Sequence, residues 1–259
     1  MIRTDIPRAD YAHMGGSGTW GGDFPENAGI EGVKVLERDM EFETPFGTTV
    51  PMMLFEIPAE MTADHVAHTV LDIPFHGWKG LSPYHDTPSE RVFWVLQRAG
   101  VKYIVADGSG GGINPLLDPG DVIIPDDLID QTKRVSYLSK FTNKIVRMRD
   151  IVCPDLANLL YQEALKEYPR VFGRGTYAVD EAPRFETKAE VQRLYDQHCD
   201  ICGHTMMPEA ALARAIGACY AAIYLVSITA EGINPGWKRS IFDLDHVCAD
   251  KFGRIVINT

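Results

Sequence analysis

The stretch "VKYIVADGSGGGINPLLDPGD" (101–121) joins an apolar, β-branched run to a glycine cluster. The run from 101 to 107 reads as a buried strand. Gly108, Gly110, Gly111 and Gly112 then require the backbone either to turn sharply or to let another group approach closely. Exposed amides at a strand end suit a phosphate or a flat ring, and the plain alternative is a flexible loop.

Working outward, further short β-rich runs occur at 51–58, 68–75, 120–127, 175–181 and 219–228. Helical patterns lie between several of them. "SERVFWVLQRAG" (89–100) spaces its apolar residues helically and ends in Gly. "CPDLANLLYQEALKEYP" (153–169) places Pro154 at a helix start and Pro169 at its stop. Thr187 and Glu190 stand at capping-box spacing in "TKAEVQRLYDQH" (187–198). "PEAALARAIG" (208–217) opens with Pro and closes with Gly. Strands alternating with helices predict one α/β domain over residues 1–259, with helices on both faces of the sheet and the site in loops at strand ends.

The 259 residues carry 25 basic and 36 acidic side chains, a net charge of −11. This acidity argues against nonspecific binding to nucleic acid or anionic membrane, although a local anion pocket need not follow the net charge. The longest strongly apolar stretch, "ACYAAIYLV" (218–226), is far short of a membrane span. The N-terminus has no secretory pattern, and five cysteines are an odd number with three crowded into 199–219. Together these predict a reduced, cytoplasmic protein.

Four stretches carry candidate chemistry. In "MGGSGTWGG" (14–22) the glycines formally match a dinucleotide fingerprint, but Pro25 and further glycines follow where that motif needs a helix. A loop in which Ser17 and neighbouring amides face a small anion, or a plain turn, fits better. "HCDICGH" (198–204) tempts a zinc reading; strand alternation would send Cys199 and Cys202 to opposite faces, and no second compact ligand pair exists, so no metal is expected. In "APRFETKAE" (182–190), Phe185 suits stacking on a planar ring and Glu186 accepting hydrogen bonds from its edge; a staple Phe and a first-turn Glu explain them equally well. "DIPFHGWKG" (72–80) runs from a strand into a tight loop with His76, Trp78 and Lys79.

Taken in order, these motifs resemble the trimeric purine nucleoside phosphorylase and methylthioadenosine phosphorylase family. The resemblance runs from about residue 10 to about 230 and is most specific at "GGINPLLDPGDVIIPDDLIDQT" (111–132), "PRFETKAE" (183–190) and "MPEAALARAIGACYAAI" (207–223). It implies a single-domain, three-layer α/β/α fold with a mixed, distorted central sheet, and a homotrimer. It also implies that inorganic phosphate, a co-substrate and not a cofactor, attacks C1′ of a purine nucleoside to release the purine and a pentose 1-phosphate. By the resemblance, Ser17, His76, Ser109 and Thr205 hold phosphate. Trp78, Gly110, Phe185, Glu186 and His204 line the nucleoside site, with His76 and Glu186 the catalytic pair. The last 25 or so residues match poorly, so the family's long C-terminal helix is expected to be absent or much shortened.

Three departures stand inside the site. Pro74 occupies the place of the family's phosphate-binding arginine, and Lys79 offers only a point charge nearby. His204 replaces a ribose-packing Met. Ile228 stands where an Asn or Asp contacts purine N7, with Ser227, Thr229 or Glu231 as substitutes if the strand shifts register. Two alternatives to phosphorolysis therefore stay open. One is a nucleoside hydrolase that uses water; the other is a degenerate member that binds a planar ligand without turnover.

Overall fold

The computed structural model describes residues 2–20, 22–76, 89–132, 138–182, 184–233 and 241–259. Trp78 and Lys79 lie outside the described residues. The strands are β1 (Ile2–Arg3), β2 (Tyr11–Met14), β3 (Lys34–Thr44), β4 (Gly47–Thr48), β5 (Met52–Ile57), β6 (His68–Ile73), β7 (Tyr103–Gly112), β8 (Val122–Ile123), β9 (Asp127–Asp130), β10 (Val171–Phe172), β11 (Thr176–Val179), β12 (Ile201–Gly203) and β13 (Cys219–Thr229). The helices are α1 (Ser89–Ala99), α2 (Pro154–Glu167), α3 (Lys188–Asp196), α4 (Glu209–Ile216) and α5 (Ile241–Asn258).

The sheet is mixed. β2 pairs in parallel with both β6 and β7, and β7 pairs in parallel with β13 but antiparallel with β12. β11 joins β12 and β9 in parallel, while β3, β5 and β6 are antiparallel neighbours. β13 lies at the centre of the packing: α2, α4 and α5 contact it, and α1 packs on α4 as α2 does on α5. Its residues from Tyr220 to Val226 are all at most 1 % exposed. That explains a near-continuous apolar run instead of an alternating one, as expected of a strand covered on both faces.

Local chemistry sets the helix ends. Thr187 accepts from the Glu190 amide, and Glu190 accepts from the Thr187 amide at 2.8 Å, so the predicted capping box forms. Gly217 ends α4 in the left-handed conformation that glycine adopts without strain.

Three expectations are corrected. First, the glycine cluster at 108–112 is not a turning loop: β7 continues to Gly112. The glycines serve close approach instead, since a Cβ at Gly110 would lie 2.6 Å from the Cys202 carbonyl oxygen of the neighbouring strand. Secondly, a C-terminal helix is present. α5 buries Cys248, Ala249, Phe252, Ile255 and Val256, a helical spacing. Thirdly, Cys199 and Cys202 do not diverge to opposite faces. Cys199 precedes β12, and both thiols enter one small apolar cluster with Val191 and Leu194.

Candidate active site

In-register parallel pairing decides where the polar residues meet. Met14 of β2 stands opposite Ile73 of β6 and Ala106 of β7. Past this common level β2 and β6 release loop 15–19 and residues 74–76, and β7 continues through Asp107–Ser109. β12 runs antiparallel beside β7 and delivers His204 and Thr205 to the same place. Carboxyl ends of parallel strands are where open α/β sheets bind ligands.

There the chain forms a cleft lined among others by Ser17, His76, Ser109, Thr205, Phe185 and Glu186. Gly110 and His204 also line it. Thus every site residue named from sequence, except Trp78, which lies outside the described residues, borders one cavity. Trp20, Cys202, Ile228 and Glu231 are also part of the wall. Among the described lining residues there is no lysine or arginine. Pro74 precedes His76 without lining the cleft.

One end of the cleft is rich in hydroxyl groups. Ser17 Oγ and Ser109 Oγ are 2.7 Å apart. Thr205 Oγ1 donates to the Tyr224 hydroxyl at 3.0 Å and lies 3.1 Å from that of Tyr177. His76 is buried beside them, its Nε2 2.6 Å from Glu209 Oε1 in the first turn of α4. The contact is close without being a well-aligned hydrogen bond, and among the described residues neither Glu209 oxygen has another partner. His76 Nδ1 is likewise buried without a partner. With Nε2 committed to Glu209, Nδ1 is the ring nitrogen left to meet a ligand.

The other end is aromatic and acidic. Phe185 is 56 % exposed at the mouth, unlike a packed staple residue, whereas Glu186 is only 7 % exposed. Burial raises the Glu186 pKa above the usual carboxylate range. The nearby Asp180 is raised to about 6, first by burial and then by the Glu186 charge. Burial, reinforced by Glu186 and Asp180, also keeps the Cys202 thiol protonated. His204 is oriented through Nδ1, 3.2 Å from the Asp180 carbonyl oxygen.

The raised Asp180 pKa has a stability consequence. The native state holds this proton more tightly than the unfolded chain, so the stabilising contribution is complete below about pH 4 and is lost as pH rises through about 6. Asp180→Asn should therefore raise Tm at neutral pH and leave it nearly unchanged near pH 4. Equal shifts at both pH values would show that packing, not charge, causes the effect.

At the Ile228 position, β13 carries an irregularity: Val226 faces Gly110 and Ile228 faces Gly111, so Ser227 is the extra residue. Ser227 is fully buried, with Oγ 3.5 Å from the Gly110 carbonyl oxygen. The slip therefore does not replace Ile228 in the cleft. Of the three substitutes considered, only Glu231 lines the wall.

Sequence reading missed Glu209, although it stands in the quoted "MPEA". A carboxylate inside the apolar face of an alanine-rich helix was the available signal. It also missed His13, a lone imidazole in a buried central strand, and the paired tyrosines under Thr205.

Residues 84–245 match the Phosphorylase superfamily. An S-methyl-5′-thioadenosine phosphorylase from Pyrococcus horikoshii is 36 % identical over 202 residues, covering 77 % of this chain and 76 % of that protein. A probable 6-oxopurine nucleoside phosphorylase from Thermococcus kodakarensis is 34 % identical over 207 residues, covering 76 % and 74 %. The crystal structure of a methylthioadenosine phosphorylase sourced from an antarctic soil metagenomic library superposes with a TM-score of 0.76 at 26 % identity, covering 97 % of this chain and 85 % of that one. The fold and cleft define a nucleoside-phosphorylase type of α/β protein. The chain belongs to the Phosphorylase superfamily.

Proposed function

We propose that this protein is a purine nucleoside phosphorylase acting on methylthioadenosine or a closely related purine nucleoside. A phosphate oxygen bonds to C1′ as the bond from C1′ to the purine nitrogen breaks, and that electron pair leaves with the purine. The observation that carries this reading is one cleft lined by Ser17, His76, Ser109 and Thr205 together with Phe185 and Glu186. The hydroxyl and imidazole groups suit phosphate, and the aromatic ring and carboxylate suit a flat base. The reaction needs no protein nucleophile and no cofactor; positioning and charge complementarity supply the catalysis. The names of the relatives support the substrate class.

His76 Nδ1 donates to phosphate, Phe185 covers the purine face and Glu186 reads its edge. Of the substitutes for Ile228, Glu231 is the one on the wall able to handle the proton of the departing purine, since Ile228 has none to give. The family resemblance supports a homotrimer, and the thiol content a reducing cytoplasm. Pro74 and the absence of lysine or arginine among the described lining residues favour one second reading, hydrolysis by water.

Incubation with methylthioadenosine, inosine and adenosine, with and without phosphate, separates the readings. Base release that requires phosphate supports phosphorolysis, and release without it supports hydrolysis. Binding without any release would leave a ligand-binding protein. His76→Ala should raise the phosphate KM at least about tenfold, the worth of one charge-assisted hydrogen bond, with a smaller effect on the nucleoside KM. An unchanged phosphate KM would remove His76 from the anion site.

A further inference from the structure

Behind the serine pair lies a buried polar cluster that the reaction, as described so far, does not use. His13, near the end of β2, sits between two aspartates: Nδ1 is 2.6 Å from Asp72 Oδ1 and Nε2 is 2.8 Å from Asp107 Oδ2. His13 and Asp72 face each other in register across β2 and β6. Asp107 Oδ2 also accepts from Thr19 Oγ1 at 2.9 Å and from the Gly16 amide at 3.2 Å. The His13 and Asp107 side chains are 2 % and 0 % exposed. One carboxylate oxygen thus gathers three donors, two of them from loop 15–19.

The loop is seated tightly on this carboxylate. A Cβ at Gly18 would lie 2.5 Å from Asp107 Oδ1. Two residues after Asp107, on the same face of β7, Ser109 meets Ser17 at 2.7 Å. Asp107 therefore fixes the base of the loop and Ser109 receives its tip.

The charge state follows from the partners. Burial would lower the His13 pKa, but the hydrogen bonds to Asp107 and Asp72 outweigh it and hold the value at about 9. The imidazolium faces Asp72 from β6, Asp107 from β7 and the Phe24 ring, whose centroid is 4.7 Å away.

We propose that His13, Asp107 and Thr19 form a latch that holds Ser17 in place for phosphate, which makes them positioning residues. The proposal rests on the assignment of Ser17 to phosphate made above. His13 holds Asp107 turned toward the loop, and Thr19 transmits that position to Ser17.

The test uses steady-state kinetics of the full chain with methylthioadenosine and phosphate. Thr19→Val keeps the shape and removes the donor. It should raise the phosphate KM about tenfold and leave the nucleoside KM unchanged, while Thr19→Ser should restore the wild-type value. Ser17→Ala should also raise the phosphate KM, and adding Thr19→Val to it should cause no further rise, because the latch acts through Ser17. Asp107→Asn should repeat the Thr19→Val pattern. If Ser17→Ala alone leaves the phosphate KM unchanged, the Ser17 assignment fails and the latch with it. If Ser17→Ala raises it but Thr19→Val does not, or if the two effects multiply, the site assignment stands and the latch is wrong.

Discussion

Glu209→Ala should destabilise the protein by about 3–5 kcal/mol and abolish most phosphate-dependent turnover. Glu209 is fully buried, and among the described residues its carboxylate meets His76 Nε2 at 2.6 Å. Truncation leaves His76 Nε2 without its polar partner in a desolvated site, which is the costly way to break a buried pair. The imidazole is then free to turn, so Nδ1 no longer faces the ligand. A double variant, His76→Phe with Glu209→Leu, distinguishes the two losses. Two apolar side chains need no countercharge, so much of the stability should return while phosphate-dependent activity stays absent. Chemical unfolding of both variants beside the wild type measures the first effect, and initial rates measure the second. A Glu209→Ala protein as stable as wild type would show that the contact is not an ion pair.

Phe252→Ala should cost a comparable about 3–5 kcal/mol, for a different reason. Phe252 lies in α5, has no exposed surface and meets Tyr168 edge to face at 5.9 Å. It also backs the anion loop, since a Cβ at Gly18 would fall 2.4 Å from its Cδ1. The cavity left by truncation should lower the unfolding midpoint in urea without changing the slope. It should also raise the phosphate KM more than the nucleoside KM, because loop 15–19 loses its support. A stability loss with both constants untouched would separate α5 from the site.

These two residues illustrate what the sequence does and does not disclose. The order of strands and helices is legible because apolar periodicity and end signals agree: Thr187 with Glu190 caps α3, Pro154 opens α2 and Gly217 closes α4. The cleft is legible for a related reason. Loops at strand ends carry residue types with few structural excuses, such as Ser17, His76 and Phe185, and family order assigns them to one place.

What stayed hidden depends on packing across the sheet. The role of Gly110 follows from how closely the Cys202 carbonyl approaches, which no local pattern encodes. β3 escaped notice because "KVLERDMEFET" is charged; besides β5, its described partners are the two-residue strands β1 and β4, so alternation is weak, and its register with β5 shifts twice. α5 was overlooked because Gly253 interrupts its pattern and the resemblance fades there. Glu209 and His13 acquire meaning only beside His76 and Asp107, 133 and 94 positions away in the chain.

The most direct test of the account follows inorganic phosphate itself. Purified protein is incubated with methylthioadenosine and phosphate, and free adenine, inorganic phosphate and sugar phosphate are measured together. The account predicts one phosphate consumed and one pentose 1-phosphate formed for each adenine released, with no release when phosphate is omitted. Adenine release at an equal rate without phosphate, accompanied by free sugar, would contradict it.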